Sequence, residues 1–66
     1  MDISANWRLI LDEMDAPEPD YDYLRVLLEA GLRWFAKDGF TPDSLPVSRK
    51  NCQRIYAALL DRFGDI

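Results

Sequence analysis

Sixty-six residues, 48% of them hydrophobic and including two tryptophans, three tyrosines and three phenylalanines, exclude intrinsic disorder, which needs low hydrophobicity together with high net charge. One cysteine, Cys52, and no histidine exclude an internal disulfide and a cysteine-built zinc site, and remove the commonest metal ligand, the commonest general base and the usual partner of a catalytic serine or cysteine. The net charge of −4 is unevenly spread: residues 1–22 carry seven acids against Arg8, a balance of −6, and residues 23–66 carry seven bases against five acids, a balance of +2.

In chain order, Asp2 or Ser4 can cap a first helix over about 3–15. Its stripe is Ile3, Trp7, Ile10 and Met14, with Leu9 and Leu11 on the flanks. Pro17 and Pro19 make the link at 16–20 stiff and extended, which favours antiparallel neighbours. The central helix is predicted over 21–38, capped by Asp20 and closed by Gly39. Leu24, Leu27, Leu28, Gly31, Leu32, Trp34 and Phe35 cover so much of its circumference that it needs partners on two sides. Arg25–Glu29 and Glu29–Arg33 are the expected pairs on its wet face.

Thr41 and Pro42 predict one short helical turn near 42–45, with Phe40 and Leu45 as its hydrophobic staple and Pro46 as its stop. Ser48 then caps a last helix over 49–63, closed by Gly64. Its buried stripe is Cys52, Ile55, Tyr56, Leu59 and Phe63, with Leu60 beside it. The expected fold is all-α, a compact bundle of three helices and one turn forming a single domain over 1–66. A chain this short buries only about 60% of its unfolded surface, so stability is marginal and a homodimer would supplement it.

Function is not written in any motif. With no glycine-rich phosphate loop and no Ser-x-x-Lys pattern, the chain is expected not to be an enzyme and to need no cofactor. Asp20 and Asp22 have the alternate spacing of calcium ligands, but the glycine and distal glutamate of a calcium loop are missing, so no metal site is expected. No apolar run reaches membrane length and no signal segment opens the chain, which makes a cytoplasmic, non-membrane protein the default expectation.

Charge leaves two candidate surfaces. Asp12, Glu13, Asp15, Glu18, Asp20 and Asp22, together with Tyr21 and Tyr23, form an acidic end without a base. Such an end suits a protein partner with a basic surface. By analogy of type, it is the design of phage inhibitors that mimic nucleic acid to block host defence or transcription machinery. Asp12, Glu13 and Asp15 lie at the C-terminal end of a helix, where negative charge is unfavourable, and that placement suggests another use. The alternative is a small helix-turn-helix-like DNA-binding regulator, with the turn near 42–45 as supporting helix and Arg49, Lys50, Asn51, Gln53 and Arg54, residue types that contact phosphates and bases, at the start of a recognition helix that enters a groove. A pI of 4.5 argues against nucleic acid as the partner. The oppositely charged ends could also attract each other between copies.

Overall fold

Capping chemistry divides the chain. The computed structural model describes residues 2–64, which form α1 (Ile3–Met14), α2 (Tyr21–Ala36) and α3 (Arg49–Gly64), with no strand among the described residues. The Asp2 carboxylate accepts the Ala5 N–H at 3.1 Å, Asp20 accepts that of Tyr23 at 3.1 Å, and the Ser48 hydroxyl accepts that of Asn51 at 3.3 Å. Each such cap contributes about 1 kcal/mol. Ser4 is not a cap. Its hydroxyl accepts the Asp43 N–H at 3.0 Å and ties α1 to the loop before α3. The segment 42–45 is a single turn, closed by Leu45 N–H donating to Pro42 at 3.2 Å.

The end of α2 departs from expectation. The helix stops at Ala36, and the left-handed residue that closes it is Asp38 (φ 61°), not Gly39. Gly39 N–H donates to Trp34 C=O at 3.1 Å and Asp38 N–H to Phe35 C=O at 3.1 Å, the paired bonds of a Schellman motif. Aspartate tolerates this conformation through its short polar side chain. The glycine answers a second demand: a Cβ at Gly39 would collide with the Trp34 indole, which lies on that backbone and donates its Nε1–H to Phe40 C=O at 2.9 Å. Phe40 packs edge-on against the same indole, 5.2 Å between centroids.

As its width demanded, α2 packs on both other helices. Leu24, Leu27, Leu28 and Phe35 meet Ile3, Trp7 and Ile10 of α1 and Cys52 and Tyr56 of α3 in one core. Leu32, Trp34, Ile55, Leu59, Leu60 and Phe63 are half-buried at its margin. A radius of gyration of 11.1 Å matches the ~10.8 Å of a compact chain of this length, so no helix stands away from the others.

The three helices are fastened at one polar point. Asn6 is buried in the α1 stripe. Its amide donates to Leu27 C=O at 3.0 Å, and its Oδ1 accepts the Tyr56 hydroxyl at 2.9 Å. Tyr56 is fully buried, with its ring against Trp7 (centroids 5.4 Å) and edge-on to Phe35 (5.1 Å). Gly31 makes room for that ring, since a Cβ there would overlap its Cε2 and Cδ2.

The surface pairs expected on α2 are replaced. Arg25 binds Asp22 at 2.6 Å, and the other ion pair among the described residues is Arg49–Asp38 at 3.2 Å. Helical side chains lean toward the N-terminus, which carries Arg25 back to Asp22 instead of forward to Glu29. Such exposed pairs contribute between nothing and about 1 kcal/mol.

Candidate functional site

The proline link folds the C-terminal end of α1 back beside the N-terminal end of α2, and this brings the six predicted carboxylates to one end of the bundle. Their roles separate. Glu13 is half-buried and accepts the Asp20 backbone N–H at 2.7 Å, closing the link from inside. Asp20 caps α2, and Asp22 holds Arg25. Asp12, Asp15 and Glu18 are exposed and accept no hydrogen bond from the described residues. Of the two tyrosines, Tyr21 is half-buried and stacks on Phe63 at 5.7 Å, whereas Tyr23 keeps 40% of its surface exposed.

The unfavourable position of Glu13 at a helix C-terminus therefore has a structural explanation that charge counting missed. A carboxylate seven residues before an N-cap, across a rigid proline link, can accept the N–H of the cap itself. Asp12 and Asp15 have no comparable bond, and the unfavourable placement stands for them.

The basic surface is the start of α3. Arg49, Lys50, Asn51 and Arg54 are exposed and Gln53 is half-buried. Arg49 reaches back to Asp38. The connection from α2 to α3 occupies residues 37–48, longer than the three or four residues of a helix-turn-helix, and the turn at 42–45 is not a supporting helix.

No family model, curated protein or solved structure matches this chain.

Shallow depressions mark the surface of the described residues. One, of about 400 Å³, runs between α2 and α3 past Arg25, Leu32 and Leu60. A second, of about 210 Å³, lies beside the Trp34 indole and is lined by Ala30, Arg33, Trp34 and Lys37. The first is also bordered by Glu29 and Asp61, and the lining of the second holds no carboxylate, hydroxyl or thiol. Cys52 is buried, its Sγ–H donating to Val47 C=O at 3.9 Å, and burial raises its pKa, which keeps it a thiol. Among the described residues no three metal-binding side chains converge, and no helix is long and apolar enough to cross a membrane.

Proposed function

We propose that this chain is a small non-catalytic binding protein, an inhibitor or adaptor, that docks its acidic end on the basic surface of a protein partner, as a nucleic-acid mimic does. The observation that carries this reading is the division of labour among the carboxylates: Glu13, Asp20 and Asp22 are engaged within the fold, and Asp12 in the last turn of α1, Asp15 at its C-cap and Glu18 on the proline-stiffened link are exposed and without a hydrogen bond from the described residues. Charges held on a rigid body lose little entropy on docking, and they steer encounter over a Debye length of about 8 Å at physiological salt.

The test is capture of partners on the immobilised chain, released by increasing salt, beside the triple variant Asp12→Lys, Asp15→Lys, Glu18→Lys. These positions are exposed, so helicity by circular dichroism should be unchanged while a salt-released basic protein is lost. Equal recovery on both would remove the reading. A second reading rests on the exposed bases at the start of α3. Direct binding of duplex DNA, with a salt slope lowered by Arg49→Ala, Lys50→Ala and Arg54→Ala, would favour it instead.

A further inference from the structure

The face of α2 turned away from the core is apolar and has its own pattern. Tyr23, Val26, Ala30, Trp34 and Lys37 follow one another at spacings of three, four, four and three, so they lie along one line of the helix and are placed symmetrically about Ala30. Val26 is 61% exposed, and Phe40 extends the stripe from its perch on the indole with 66% exposed. Single exposed apolar residues are ordinary; exposed Tyr23 and Val26 in line with half-buried Ala30 and Trp34, over about 16 Å of helix, make a candidate surface.

We propose that this stripe is the interface of a homodimer in which two α2 helices pair antiparallel about a two-fold axis through Ala30. That operation sets Lys37 of each copy over the Tyr23 ring of the other, Val26 against Trp34 beside the hollow that Ala30, Arg33, Trp34 and Lys37 line, and the smallest side chain at the crossing point. Each contact is of a favourable kind: cation over aromatic face, aliphatic group against indole, close approach at alanine.

Charge selects the second copy as the occupant. The N-terminal end of α2 adjoins the acidic end of the molecule, with Asp20 and with Asp22 paired to Arg25, and its C-terminal end carries Arg33 and Lys37, with Asp38 beside them paired to Arg49, so the net charge still runs from acidic to basic along the helix. A uniformly basic partner would suit one half of the stripe and be repelled by the other, and a uniformly acidic partner would do the reverse. Only a surface with the same gradient run backwards suits both, and the chain itself is such a surface. Parallel pairing would set acid on acid and base on base, and antiparallel helix dipoles add to the preference. One helix pair lies at the small end of specific interfaces, below about 1,200 Å² in total, so the dimer forms with rising concentration and weakens with salt. Asp12, Asp15 and Glu18 are not part of the stripe, so the dimer is independent of the docking reading.

Sedimentation equilibrium from low micromolar to near-millimolar protein tests this directly. The native chain should pass from monomer to dimer. Ala30→Glu, which brings two carboxylates together on the axis, should lower association by about a hundredfold or more with helicity unchanged. Lys37→Glu should weaken the dimer, and adding Tyr23→Lys should restore it, a rescue that no damage to the monomer fold would produce. In a Cys52→Ala background, Ala30→Cys should give a disulfide-linked dimer on mild oxidation, because the axis brings the two new thiols together, whereas Asp61→Cys on α3 should not. A chain monomeric throughout, or a dimer that survives Ala30→Glu and cross-links no better at position 30 than at 61, would overturn the proposal.

Discussion

Gly31 and Ala30 are neighbours on α2 and serve opposite faces. On one face, Gly31 admits the Tyr56 ring, and the polar groups beside it are paired: Asn6 joins α1, the α2 backbone and the hydroxyl of α3. On the other, Ala30 sits in an open hollow with Val26 exposed above it. The inner face is closed by shape and hydrogen bonding, and it tolerates neither a methyl group more nor a hydroxyl less. The outer face is unfilled, and substitutions there should leave the fold alone. The stability of the fold and the proposed association between copies are therefore separable on one helix.

The inner face breaks most severely at Tyr56. Tyr56→Ala empties the centre of the bundle and leaves Asn6 without its partner. A loss of about 3–5 kcal/mol in chemical denaturation is expected, a large share of the total stability of a domain this size. Next come the polar partners. Tyr56→Phe orphans Asn6 Oδ1, and Asn6→Leu orphans the buried hydroxyl, each costing about 1–3 kcal/mol. The double variant should recover much of the loss, because two apolar groups leave nothing unpaired. Strict additivity would show that the hydrogen bond does not couple the helices.

Gly31→Ala probes the same junction by sign. In an exposed helix, glycine to alanine stabilises by up to about 1 kcal/mol through propensity. Here the added methyl meets a ring held on three sides, where overpacking costs about 1–3 kcal/mol. The midpoint should therefore fall, and a rise would show that the ring yields easily.

The overall architecture was legible because period, caps and prolines agree. Asp20, Ser48 and the helical stripes gave three helices, and α2 was recognisably too apolar for one neighbour. Asn6 was not legible. An asparagine three residues after the first member of a stripe looks like a polar flank, and its burial depends on a hydroxyl fifty residues away. The left-handed Asp38 was hidden by the glycine beside it, whose real constraint is the indole of Trp34. Of the candidate site, the sequence showed which acids gather but not which are committed to the fold. The Glu13 bond to Asp20 depends on how the proline link turns, and spacing alone does not give that.

Alkaline pH sharpens the inner face further. Burial raises the pKa of Tyr56 above its ordinary value of 10.0, with the adjoining Cys52 adding to it, and burial raises that of Cys52 above 9.0. Over the interval between its ordinary and its raised value each group holds its proton better in the folded than in the unfolded chain. Their contribution is thus complete below pH 9.0, begins to fall as pH passes 9.0 for Cys52 and 10.0 for Tyr56, and is lost as pH rises through the raised folded values. The Tyr56 part approaches about 1.4 kcal/mol for each pH unit above its ordinary value. Tyr56→Phe should flatten the upper part of that decline, and an unaltered profile would assign the effect elsewhere.

The smallest expected effect on stability lies across the helix. Val26→Thr keeps the branched shape and puts a hydroxyl in place of a methyl at a residue that is 61% exposed, so stability at low concentration should change by no more than about 0.5 kcal/mol. The same hydroxyl would have to be desolvated against an indole in the proposed dimer, at a cost of about 1–3 kcal/mol for each copy. Measured at high concentration, where a dimer adds to apparent stability by mass action, the variant should melt below the native chain. A difference that grows with concentration separates the two faces of α2, whereas a constant difference would mean that Val26 serves the monomer alone.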